Sequence, residues 1–139
     1  VWVGCENSDG DYCVTKLDLD GNIQWEYTDT DLNNMVKDMV IDDVGNAYIA
    51  SQNARVTQKI SSSGKRQWNF DSKGSPGKDP FDLDIDSSGN TYIALDDGVQ
   101  KITPDGDPDW FLDVYNDNNL ANSIKVNNGY IYRRNFRKK

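Results

Sequence analysis

The sequence holds no histidine in its 139 residues. That removes the Ser-His-Asp and Cys-His nucleophilic arrangements, the usual general base near neutral pH, and every histidine-bearing metal site. Cysteine is nearly as scarce, with Cys5 and Cys13 alone. They flank Asn7-Ser8-Asp9-Gly10, a hairpin-turn sequence, and a chain folded about Asp9 sets them opposite each other. A short cross-strand disulfide and two reduced, packed thiols both fit that placement, and so short a loop gains little from a bridge. Long apolar runs are missing too: no window reaches the roughly 18 apolar residues of a membrane span. No secretory signal opens the chain, which begins on the strand-like Val1-Trp2-Val3. A start at Val is expected of a processed, truncated or partial chain.

What is present is acid, almost all of it aspartate, for a formal net charge of -8. An acidic body repels nucleic acid and anionic membrane surfaces, so neither is expected as a partner. Five of the 15 basic residues crowd the last seven positions (Arg133, Arg134, Arg137, Lys138 and Lys139), and without them residues 1–132 would carry -13. That basic tail, 133–139, reads as an arm for an acidic or phosphate-bearing neighbour, or as a solvated end kept soluble by charge.

An internal repeat governs the rest. Lys16, Gly21 and Trp25 recur as Lys59, Gly64 and Trp68 and as Lys101, Gly106 and Trp110, at spacings of 43 and then 42 residues. A second element runs out of phase with it. Ile41-Asp42-Asp43-Val44-Gly45-Asn46-Ala47-Tyr48-Ile49-Ala50 matches Ile85-Asp86-Ser87-Ser88-Gly89-Asn90-Thr91-Tyr92-Ile93-Ala94, and a degraded copy around Gly129-Tyr130-Ile131 puts Tyr130 in the tyrosine position. Each repeat resolves into four short alternating segments separated by Gly, Asp, Asn and Ser, the chemistry of tight hairpins. Asp31–Asp38 is the only helix candidate and reads better as a connection. Four antiparallel strands in about 42 residues is the length of one β-propeller blade.

The Lys-(Leu/Ile)-x-x-x-Gly-x-x-x-Trp element resembles the tryptophan-docking motif of the PQQ-like, quinoprotein-type propellers. The Asp-x-x-Gly-Asn-x-Tyr-Ile-Ala element resembles SBBP- and NHL-type repeats. The resemblance implies an all-β chain of propeller blades over residues 1–132, with blades near 1–28, 35–70, 80–112 and 120–132. It also implies that the repeated Trp packs between neighbouring blades. No quinone-binding residue carries over, so no cofactor is expected. The strands number about thirteen, a little over three blades, whereas closed propellers take about four to eight. Either further blades of the same protein or a homo-oligomer is expected to complete the ring.

Three features invite a chemical reading. The tryptophans suggest a stacking shelf, but their regular spacing is that of packing residues. The acidic turns Asp18–Asn22 and Asp105–Asp109 suggest calcium. An EF-type loop counted from Asp18 would need Gly at its sixth position and Glu at its twelfth, where Ile23 and Asp29 stand. The carboxylate runs Asp42/Asp43, Asp96/Asp97 and Asp82/Asp84/Asp86 suggest paired acids. Alternation with Phe81, Leu83 and Ile85 places the last three on one exposed strand face. No catalytic or metal site is therefore expected. The leading expectation is a non-enzymatic structural scaffold for protein–protein interaction, part of a secreted, cell-surface or virion protein. The alternatives are a piece of a quinoprotein-like or glycan-active propeller enzyme, which an acid pair in a central cleft would favour, and a glycan-binding propeller.

Overall fold

The computed structural model describes residues 1–6, 12–29, 36–51, 55–72, 79–113 and 119–137. The chain is all-β: thirteen strands form four antiparallel sheets, with no α-helix among the described residues. Blade 1 has three strands, β1 (Trp2–Glu6), β2 (Tyr12–Leu17) and β3 (Ile23–Asp29). Blade 2 is complete, with β4 (Val36–Ile41), β5 (Ala47–Ser51), β6 (Val56–Ile60) and β7 (Arg66–Asp71). Blade 3 repeats it in β8 (Pro80–Ile85), β9 (Thr91–Leu95), β10 (Gly98–Ile102) and β11 (Pro108–Asp113). Blade 4 has two strands, β12 (Asn119–Asn127) and β13 (Tyr130–Arg137). These are propeller blades in an incomplete ring, and each sheet keeps its strands in chain order.

Two details depart from the sequence reading. Val36–Asp38, taken with 31–35 as a connection or a helix, opens β4, while 31–35 lies outside the described residues. Residues 133–137, read as part of a basic tail, are the second half of β13 and pair along β12 as far as Asn119↔Arg137. Counting charge hid an extended segment whose backbone has a partner.

The recurring Asp-x-x-Gly-Asn-x-Tyr sequence is the first turn of blades 2 and 3. Asp42 accepts from the backbone N–H of Asn46 at 2.8 Å, from that residue's side-chain amide at 2.7 Å and from the Tyr48 hydroxyl at 3.3 Å. Asp86 does the same with Asn90 at 3.0 and 2.8 Å and with Tyr92 at 3.0 Å. One carboxylate thus closes the turn and fixes the tyrosine two residues into the next strand, so the three residue types recur together.

Strands β5 and β9 are buried at every position because they are sandwiched between blades. Ala47 and Ile49 pack toward blade 1 with Val14, whereas Tyr48 and Ala50 pack toward blade 3 with Ile93 and Leu95. Across each blade, at one register level, runs a row of aromatic, lysine and tryptophan: Trp2–Lys16–Trp25, Tyr48–Lys59–Trp68 and Tyr92–Lys101–Trp110. The ammonium groups lie 5.6, 5.0 and 6.0 Å from the ring centroids of Trp2, Tyr48 and Tyr92. The outer tryptophan rings stand 4.6, 6.0 and 6.1 Å from the same aromatics. In blade 4 the register gives this place to Tyr132 and not to Tyr130: Tyr132 faces Lys125 as Tyr92 faces Asp84. The third residue after the turn glycine is the tyrosine in every copy, and the shorter turn before Gly129 disguised it.

Trp25 and Trp68 also lock their blades to the next. The Trp25 indole N–H donates to the Ser62 carbonyl at 3.1 Å, and that of Trp68 to the Pro104 carbonyl at 3.0 Å. The ring covers the glycine of that same turn: a Cβ on Gly64 would stand 2.9 Å from the Trp25 ring, and one on Gly106 2.6 Å from Trp68. Both glycines also hold positive φ, 83° and 94°, a backbone state that costs any residue with a Cβ.

At the other end of the chain, Cys5 and Cys13 are register partners across β1 and β2, and Cys13 is disulfide-bonded.

Candidate functional site

The first strand of each blade packs against the first strand of the next, so β4, β8 and β12 are the innermost strands. Each carries a break in register near its start, between Val36 and Asp38, between Pro80 and Asp82, and between Ala121 and Ser123. A bulge of this kind inserts an unpaired residue and re-aims the side chain that follows it. The re-aimed side chains are Asp38, Asp82 and Ser123.

Asp38 and Asp82 meet across the junction of blades 2 and 3. Their carboxyls share a hydrogen bond, and burial together with that bond and the charge of Asp82 pushes the Asp38 carboxyl up to about 6. Asp38 Oδ2 also accepts the Leu83 backbone N–H at 3.0 Å, and Asp82 Oδ2 accepts the Ile124 N–H at 2.8 Å. The Asp38 carboxyl therefore keeps its proton into the weakly acidic range. Chemically the pair is an acid and a base side by side.

The expected exposed face of Asp82, Asp84 and Asp86 is corrected here. Asp84 is only 9% exposed. Its Oδ2 accepts from Val126 N at 2.8 Å and faces the Lys125 ammonium at 3.4 Å. Asp86 lies in the turn and is half-buried. Alternation predicts a solvent face for a sheet covered on one side, but an innermost strand also meets the next blade, whose free N–H groups take the carboxylates.

A second polar cluster lies between blades 1 and 2. Asp29 Oδ2 accepts from Tyr27 Oη at 2.8 Å, Gln58 Nε2 at 2.9 Å and Arg66 Nη1 at 2.7 Å. Burial, then the bond to Asp29, pushes Tyr27 up to about 12. Sequence reasoning missed this cluster, in which Asp29 reaches a partner 37 residues away. The only trace of it was glutamine at 58 and again at 100.

A cleft of about 700 Å³ opens between the first turns of blades 2 and 3, lined by Asp42, Asp43, Tyr48, Lys59, Asp86 and Pro104 among others. Asp42 and Asp86 spend their oxygens on the turns, and those bonds hold both below the usual carboxylate range against the opposing effect of burial. At the calcium-like turn, Asp18 accepts from Asp20 N, Asn22 N, Asn22 Nδ2 and Gln24 Nε2 at 2.9–3.2 Å. Among the described residues no three His, Cys, Asp or Glu side chains come together as a metal would require.

Solved structures of the same architecture exist. A streptogramin B lyase matches over 88% of this chain and 43% of its own, with a TM-score of 0.69 at 17% identity. A catalytically inactive histidine-to-alanine variant of virginiamycin B lyase from Staphylococcus aureus, with quinupristin, matches over 95% of this chain and 47% of its own. Its TM-score is 0.74 at 15% identity. The fold is a β-propeller. A protein of unknown function from Bacteroides caccae matches over 94% and 52%, with a TM-score of 0.55 at 16% identity. The chain spans about half the length of the structures it matches. No protein-family model and no curated sequence matches the chain.

These matches correct the expectation of a non-enzymatic scaffold. Two of the structures matched in this arrangement of blades are lyases, in line with the enzyme alternative rather than the scaffold.

Proposed function

We propose that the chain is part of a propeller enzyme that cleaves its substrate by elimination, with Asp38 and Asp82 as the proton-handling pair. The observation that carries this is the placement of two carboxyls on adjacent innermost strands. Asp38 Oδ2 is held by the N–H of Leu83, the residue next to Asp82, and Asp38 is pushed up to about 6 by burial and by Asp82. Elimination needs a base to take a proton from carbon and an acid to hand one to the leaving group. Asp82 is the base in this reading and takes the proton as the carbon–heteroatom bond breaks and a double bond forms. Asp38 protonates the departing atom, so the pair begins and ends with one proton. The lyase architecture supports the reaction class. The tryptophan-on-glycine junction supports the finer likeness to quinoprotein-type blades in packing alone.

The matched lyase is inactive when one histidine is replaced by alanine, and this chain has no histidine. In the proposed reading carboxyls do the proton transfer. The test uses the native polypeptide that carries these residues, incubated with virginiamycin B, quinupristin and a panel of esters. An eliminated product keeps the substrate's total mass, whereas hydrolysis adds one water. Asp38→Asn and Asp82→Asn are each expected to lower kcat by about 10²–10⁴-fold with the fold intact. Turnover unchanged in both variants, or no turnover by the native polypeptide, overturns the proposal.

A further inference from the structure

The innermost strands of blades 2, 3 and 4 break register at the same place, and the residues that follow the break are Asp38, Asp82 and Ser123. Ser123 takes no part in the proton-handling pair, yet its backbone repeats the relation that brings the two carboxyls together. Asp38 Oδ2 accepts the N–H of Leu83, the residue after Asp82, at 3.0 Å. Asp82 Oδ2 accepts the N–H of Ile124, the residue after Ser123, at 2.8 Å. Ser123 therefore stands to Asp82 as Asp82 stands to Asp38, one blade further round. The bonded Ile124 nitrogen is separated from the Ser123 Cα by a single carbonyl carbon, so covalent geometry alone keeps the serine beside the Asp82 carboxyl.

The Ser123 hydroxyl is unspent. The residue is half-buried, and its side chain makes no hydrogen bond among the described residues. Strand β12 does not need one to keep its place, because the Ile124 and Val126 N–H groups already fasten it to Asp82 and Asp84. Chemistry separates the three positions. A third carboxylate at 123 would set another like charge against Asp82, and alanine would offer no donor. A serine hydroxyl donates a hydrogen bond without competing for the proton that the aspartates exchange. Removing a proton from a carbon beside a carbonyl sends negative charge onto the carbonyl oxygen, which is where a fixed donor lowers the barrier most.

We propose that Ser123 is the third catalytic residue of this site, its hydroxyl donating to the substrate carbonyl oxygen beside the carbon that loses its proton to Asp82. This rests on the elimination reading and assigns the one step that the two aspartates leave unattended. The C–H electron pair moves toward the carbonyl, and charge gathers on the oxygen under the Ser123 hydroxyl. The charge returns as the new carbon–carbon double bond forms and the bond to the leaving heteroatom breaks. Asp38 gives its proton to the departing atom, Asp82 has gained one, and Ser123 keeps its own throughout. The substrate is thereby a carbonyl compound whose leaving group sits one carbon beyond the carbon that is deprotonated.

The test uses the native polypeptide that carries these residues and the substrate it turns over from the panel of esters. Ser123→Ala is expected to lower kcat by about 10²-fold with KM nearly unchanged, because the bond strengthens only as charge develops. Ser123→Thr keeps the hydroxyl and is expected to recover most of that loss, with both variants melting at the native temperature. Turnover that falls in Asp38→Asn and Asp82→Asn but holds in Ser123→Ala overturns this inference and leaves the elimination reading standing. A rise in KM alone, or a loss that Ser123→Thr does not relieve, also overturns it, since binding or packing then accounts for the serine. No turnover by the native polypeptide, or full activity in both aspartate variants, sinks the elimination reading and this inference with it.

Discussion

Trp68 lies so close over Gly106 that a Cβ there would stand 2.6 Å from its ring, while its N–H donates to Pro104 two residues earlier. The two contacts fix one ring against one turn and account for the recurrence of Gly and Trp four residues apart: within a blade they are neighbours, but each is matched to the adjacent blade.

Gly106→Val meets both the ring and a φ of 94°, and is expected to cost about 3 kcal/mol. Gly21→Val is the control. That glycine shares the positive φ, 86°, but has nothing within 4 Å of its missing Cβ. Only the backbone cost remains there, about 1–2 kcal/mol. Urea unfolding of the two variants side by side checks the difference, and equal losses would remove the docking contact from the account.

Trp68→Phe keeps an aromatic ring over Gly106 and deletes the bond to Pro104. The loss expected is about 1 kcal/mol, the net worth of a hydrogen bond with its carbonyl left behind. Trp68→Ala also empties a largely buried site and is expected to cost about 3–5 kcal/mol. Thermal melts of both variants distinguish bond from packing.

The Asp38 carboxyl is raised from 3.8 to about 6, so the folded chain holds a proton that the unfolded chain releases. Stability from that proton is fully present below about pH 4 and is lost as pH rises through 6. Asp42 and Asp86 act in the opposite sense: both are lowered, and their contribution is lost as pH falls below 3.8. Asp38→Asn is expected to flatten the melting temperature between pH 4 and 6 while leaving the acid limb unchanged. A pH series of melts on the two proteins checks this, and parallel curves would place the shared proton elsewhere.

Arg66→Leu removes the guanidinium at 2.7 Å from Asp29, which is 8% exposed, and keeps the bonds from Tyr27 and Gln58. Breaking a buried pair costs about 3–5 kcal/mol, but the Arg66 side chain is 42% exposed and solvent screens it. A loss of about 1–2 kcal/mol is expected from denaturant titration. A neutral result would mean that the two neutral donors suffice for the charge.

The blades were legible in the sequence because their turns are rigid in composition: Asp42 and Asp86 each bond a turn amide and a tyrosine, so three residue types recur at fixed spacing. Tyr132 was misplaced as Tyr130 because its turn is shorter than the others. The acid pair was not legible. Asp38 and Asp82 are 44 residues apart, and the bulges that turn them toward each other leave no mark in the alternation of apolar and polar residues. The same alternation put Asp84 in solvent, since it registers one covered face and knows nothing of a neighbouring blade.

The junction of blades 2 and 3 is written in short stretches, a tryptophan strand on one side and a glycine turn on the other, with an aspartate of β4 holding the next innermost strand. The Trp–Gly contact recurs between blades 1 and 2, and the aspartate contact between blades 3 and 4. A blade cut out or copied whole takes one of each with it and leaves the flanking surfaces compatible. Gene duplication and deletion can therefore change the number of blades without redesigning any interface, until the circle must close.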